Sequence, residues 1–139
     1  MSKPVLSELE YNADDVASAI LQKADLSVTN EDLGVTDQSS NFVAESGWSL
    51  SNKQIYSFNG FIFLSFTAQY GSTPSNGDAL VEITDEDIRP TTNTIFPSIS
   101  YEVDTVNCIV VQTNGEIIVS HPSNPGSEFH VAINGFYRY

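Results

Sequence analysis

The stretch from Asn107 to Val119, NCIVVQTNGEIIV, most constrains what this chain can become. Two apolar runs flank Asn114-Gly115. A two-residue type I′ turn needs φ > 0 at both central residues, and Asn-Gly tolerates that best. With a turn of that length, Thr113 pairs with Glu116, Gln112 with Ile117, Val111 with Ile118 and Val110 with Val119. One face then carries Ile109, Val111 and Ile118, and the other Cys108, Val110, Ile117 and Val119. Both faces are apolar, which places the hairpin inside a packed β-structure and not on a half-wet edge.

Other segments repeat the pattern. Gln54–Tyr70 reads as a second hairpin closed by Asn59-Gly60. Tyr56, Phe58, Phe61 and Phe63 share one of its faces. Ile55, Ile62, Leu64, Phe66 and Ala68 share the other. The aromatic stripe reads as core, and removing a buried Phe63 would cost about 3–5 kcal/mol. Phe42–Leu50 is a strand broken at Gly47, with Trp48 as a core anchor. Ala79–Ile83 and Ser98–Val103 are short strands. Pro90–Pro97 reads as extended or irregular, with Ile95-Phe96 tucked inward. The last strand runs from Phe129 to Tyr139 with a bulge at Gly135. Short strands with turn signals at regular intervals predict a mainly β chain: an antiparallel β-sandwich or jelly-roll-like domain over residues 41–139.

Residues 1–40 read differently, as a helical arm and connector. Asn12 can cap a helix, Asp14 and Asp15 suit its positive end, and Val16, Ala17, Ile20, Leu21 and Ala24 recur at helical spacing. The spacing predicts one short amphipathic α-helix over Ala13–Ala24, packed either on its own sandwich or on a partner. A polar connector, Leu26–Ser40, follows.

Length and charge narrow the function. The chain has 139 residues, enough to bury about 68–70% of its unfolded surface without metal or disulfide staples. The single cysteine, Cys108, excludes an internal disulfide framework and reads as a buried, inert thiol. The polar, acidic start MSKPVLSELEYNADD is unlike a signal peptide, and GFIFLSF is far too short to span a membrane. The expectation is a soluble chain made in a cytoplasm. With 18 acids against 5 bases the net charge is −13, which argues against nucleic-acid binding and against adhesion to anionic membranes.

Chemistry is hard to find. His121 and His130 lie in no metal or nucleophile motif. Asp85, Glu86 and Asp87 lack the spacing of a calcium loop and read as a solvated turn. Eighteen acids always allow a carboxylate pair to be imagined, so none is assigned as glycosidase machinery. No catalytic, cofactor or metal residues are assigned, and an enzyme is the least favoured class. A free carbohydrate-binding module is the main alternative. Its stacking candidates are Tyr70, Tyr101, Tyr137 and Tyr139, although strand tyrosines are usually core-rim residues.

From Trp48 to Tyr139 the chain resembles the β-sandwich domains of tailed-bacteriophage structural proteins, those of tail tips, baseplates and fibres. The order of elements carries the resemblance: the aromatic pair QIYSFNGFIFLSFTA, a strand, the step Asp87-Ile88-Arg89-Pro90, a Pro-containing extended stretch, the hairpin IVVQTNGEIIV, and a last strand ending in Tyr139. The resemblance implies a non-enzymatic virion protein, a small baseplate or tail-tip component of a long-tailed phage of Gram-positive hosts, assembled in the host cytoplasm. It implies homo-oligomers, trimers among them, contacts with other virion proteins, and a role in host recognition that extends to cell-surface saccharide. It also implies that Arg-Pro and the Asn-Gly hairpin are structural, with Arg89 paired to an acid or a carbonyl.

Overall fold

The computed structural model describes residues 32–100, 106–120, 122 and 128–139. The helix expected over 13–24 lies outside them, as do Tyr101 and His121. The chain forms two compact units, Met1–Leu33 and Gly34–Tyr139, and the sheet belongs to the second. Thr36–Asp37, inside the expected connector, already forms a strand of that sheet.

Nine strands make up the sheet: β1 (Thr36–Asp37), β2 (Phe42–Ala44), β3 (Trp48–Phe58), β4 (Phe61–Tyr70), β5 (Ala79–Ile83), β6 (Thr94–Ser100), β7 (Val106–Val111), β8 (Glu116–Ser120) and β9 (Phe129–Arg138). Every pairing is antiparallel, and the order is β1-β3-β4-β9-β6-β7-β8-β5-β2. A sandwich would divide these strands between two sheets. Here one ladder runs through all nine, joined at its middle by only two pairs, Ile99 with Ala132 and Ser100 with Val131. Side chains from both halves of the sheet meet in one core, so the sheet curls over on itself. Among the described residues there is no α-helix, and the helical elements are single 3-10 turns at Ser39–Asn41 and Glu86–Ile88. None of these is long and apolar enough to cross a membrane.

Alternation along the strands sets the core. On β4, Ile62, Leu64, Phe66 and Ala68 are buried. On β9, Phe129, Val131, Ile133 and Tyr137 face the same way. Ile109 and Val111 of β7 and Ile117 and Val119 of β8 close the core from the other half. Trp48 is buried as expected, its ring stacked 4.9 Å from that of Tyr70 and edge-on to Phe129.

The first hairpin closes as its sequence predicts. Phe58 pairs with Phe61 across Asn59 (φ +51) and Gly60 (φ +81). The second does not. Val111 pairs with Ile117 and Val110 with Ile118, one residue away from the register that a two-residue turn would impose. Gln112 and Glu116 flank a three-residue loop, with Gly115 at φ +94 and its N–H donating to the Gln112 carbonyl at 3.0 Å. This is a turn followed by a Gly bulge. The slip moves every β8 side chain to the opposite face. Ile117 and Val119 join Ile109 and Val111 inside, and Ile118 turns outward with Val110 and Cys108. Burying two large aliphatic side chains in place of one gains about 1.5–3 kcal/mol for the extra residue, which outweighs a two-residue turn's better twist.

Three smaller expectations are also corrected. Cys108 is half-buried on the outward face, not sealed in the core. Of the pair expected inside on the strand Thr94–Ser100, Ile95 is exposed and Phe96 packs inward, against Gly135. Gly135 makes no bulge, because the β4–β9 register is continuous from Phe61–Arg138 to Tyr70–Phe129.

Candidate functional site: an outward aromatic face

The aromatic stripe of the first hairpin is the largest departure from expectation. Both of its faces are apolar, and the aliphatic one won the core. The stripe turns to solvent, with Phe58 44% and Phe63 45% exposed. β9 adds Phe136, 58% exposed and directly opposite Phe63. The rings of Phe61, Phe63 and Phe136 pack together with centroids 5.9–6.4 Å apart in tilted and edge-on contacts. Their spacing suits the ring quadrupoles. Beside them lies an open hollow of about 250 Å³ lined by Gln54, Tyr56, Phe63, Leu64, Ser65 and Gly135. Ser65 Oγ and Asn134 Oδ1 share a 2.7 Å hydrogen bond at its rim.

A second apolar surface lies on the other half of the sheet. Ile95, Ile99 and Val106 are more than half exposed on β6 and β7, on the side to which Cys108, Val110 and Ile118 also turn.

Neither surface carries catalytic chemistry among the described residues. His130 is half-buried at the far end of β9, with Nε2 3.4 Å from Glu128 Oε2. No group of three His, Cys, Asp or Glu side chains among the described residues is placed to hold a metal ion. The acidic turn has a structural use. Asp85 caps a 3-10 turn by accepting from the Asp87 N–H at 3.0 Å. Arg89 meets both kinds of expected partner, donating to the Ile83 carbonyl at 3.1 Å and lying 3.4 Å from Glu86 Oε1. The Arg-Pro step and the Asn-Gly hairpin are thereby joined: Ile83 N–H donates to the Gly115 carbonyl at 2.7 Å, and Arg89 fills the space a Cβ on Gly115 would need.

Of the tyrosines named as stacking candidates, the three among the described residues are engaged with the core. Tyr137 is buried and donates its hydroxyl to the Ile88 carbonyl at 2.8 Å. Burial, helped by nearby Tyr139, pushes its phenol far above the ordinary range. Tyr70 is committed to its stack on Trp48, and Tyr139 packs against the core. The exposed rings are phenylalanines that sequence reasoning assigned to the interior. The signal that could have placed them outward was the aliphatic run on the opposite face, which completes a core by itself.

No family model matches the chain, and no curated protein matches it. A solved structure does. The receptor binding protein (gp15) of Listeria phage PSA is similar with a TM-score of 0.53 at 12% sequence identity, over 98% of this chain and 80% of that one. At that identity the likeness is one of fold.

Proposed function

We propose that this chain is a non-enzymatic structural protein of a bacteriophage virion, a small component of the baseplate or tail tip that takes part in host recognition. The observation that carries the reading is the fold shared with a phage receptor binding protein along 98% of the chain. The order of motifs from the aromatic strand pair to the final strand points the same way, without using that comparison. A virion protein works by presenting surfaces. The two outward apolar faces and the absence of an assembled catalytic group among the described residues suit that work better than they suit a hydrolase. In this reading the chain assembles into a homo-oligomer, a trimer by resemblance, docks other virion proteins, and meets the host surface, cell-wall saccharide included, in the particle.

Antibody raised against the chain, with immunogold electron microscopy of intact particles, tests the reading. Gold at the tail tip supports it, and blocking of phage adsorption by free protein then supports host recognition. Particles without gold overturn the virion assignment while leaving the fold untouched.

A further inference from the structure

Strands β3, β4 and β9 are adjacent in the sheet and are 11, 10 and 10 residues long. Together they contain no Asp or Glu, in a chain that carries 18. Their outward side holds Phe58 and the packed rings of Phe61, Phe63 and Phe136 at one end, with Arg138 opposite Phe61 at the β9 edge; at the opposite end the Glu128 carboxylate, just before β9, accepts from Gln69 Nε2 at 3.0 Å. At the other edge, Asp37 of β1 lies opposite Tyr56. We propose that the aromatic end of this face docks a second copy of the same chain. The proposal rests on the assembled reading above and assigns it a surface.

The argument is one of charge and of ring chemistry. Two copies at −13 repel each other over most of their surface. They approach most readily where acids are missing, and three neighbouring strands without an acid provide such a place. The edges of the face carry opposite signs. The Asp37 carboxylate accepts from the Ser39 N–H at 2.8 Å, which favours its ionised form. The Asp37 edge of one copy therefore has the Arg138 edge of the next to meet, in a two-fold pair or around a three-fold axis. The centre is phenylalanine, the kind of aromatic anchor that protein interfaces bury.

The test uses the full chain, with mass measured by light scattering and sedimentation across a wide concentration range. Two variants act on the face: Phe63→Ser with Phe136→Ser, and Ser65→Glu, which adds an acid and keeps the rings. A control, Ile99→Ser, alters the other apolar surface. Circular dichroism and thermal melting check that each variant folds. The expected result is an oligomer for the unaltered chain and the control, and a 15.2 kDa monomer for both face variants. An oligomer that survives both face variants, or that only Ile99→Ser dissociates, overturns this inference and leaves the assembled reading standing. A monomer at every concentration in the unaltered chain overturns both. Folded face variants that keep the oligomer but lose binding to host cells reassign the face to the receptor.

Discussion

The two Asn-Gly hairpins of this sheet share a dipeptide and differ in almost everything around it. At Asn59-Gly60 nothing lies within 4 Å of where a Gly60 Cβ would sit, and both turn residues take positive φ. The Gly60 carbonyl receives the Tyr139 N–H at 3.1 Å from the end of the neighbouring strand, but no side chain packs against the turn's glycine, and the register follows the turn. At Asn114-Gly115 the loop is gripped from outside. The Gly115 carbonyl receives the Ile83 N–H, the Thr113 N–H donates to Asn93 Oδ1 at 2.9 Å, and Arg89 packs beneath the glycine. There the core decides, and the turn lengthens by one residue to bring Ile117 and Val119 inside. Local turn chemistry thus sets register where the glycine has open space around it and yields where tertiary packing has a larger stake.

The hairpins also differ in what they turn outward, and the largest expected effect tests this. Ile62→Ala should destabilise by about 2–5 kcal/mol in urea unfolding, because its buried side chain leaves a cavity. Phe63→Ala, its neighbour on the opposite face, should cost under about 1 kcal/mol. Equal losses at the two positions would mean that the aromatic face is covered within a single chain, and the contrast between inner and outer face would fail.

The glycines give the next effect. Gly115→Ala forces a side chain onto φ +94 and brings its Cβ to 2.9 Å from the Ile83 carbonyl oxygen, besides colliding with Arg89. A loss of about 3 kcal/mol is expected from strain and overlap together. Gly60→Ala meets open space at φ +81 and should cost only about 1 kcal/mol, the backbone penalty alone. Thermal melts of the two variants read the difference directly. Comparable losses would show that Arg89 does not brace the second turn.

Much of the fold was legible before the structure. The first hairpin, the break at Gly47 and the Trp48 anchor follow from local rules about turns and burial, and the pairing of Arg89 was implied by the resemblance. What stayed hidden was non-local. Gln54–Tyr70 is apolar on both faces, so alternation could not say which face was inner; that depended on β9 pairing with β4 and on the other half of the sheet closing over Ile62 and Leu64. Ile95 looked buried for the same reason. Phe136 becomes part of an aromatic cluster only once β9 lies beside β4, and no spacing along the chain announces it. What misleads is the orientation of the aromatic stripe: it reads as core, whereas Phe58 and Phe63 turn outward, and buried Tyr137 agrees with the core-rim reading of the tyrosines.

The smallest effect sharpens the comparison most, because it exchanges the same residue in two settings. Asn59 occupies the left-handed region at φ +51, where glycine is at least as comfortable. Asn59→Gly should leave stability within about 0.3 kcal/mol, since the loss of unfolded-state restriction is offset by relief of strain. Asn114 is not held at positive φ. Its side-chain oxygen accepts from the Glu116 N–H at 3.0 Å, and its amide donates to Glu116 Oε2 at 2.8 Å. Asn114→Gly removes both bonds and loosens the loop, so a loss of about 1 kcal/mol is expected, measured as a shift in the urea midpoint at constant slope. If the two exchanges instead cost the same, the second turn would be adopting the type I′ geometry of the first in solution, and the one-residue slip that places Ile117 and Val119 in the core would have to be abandoned with it.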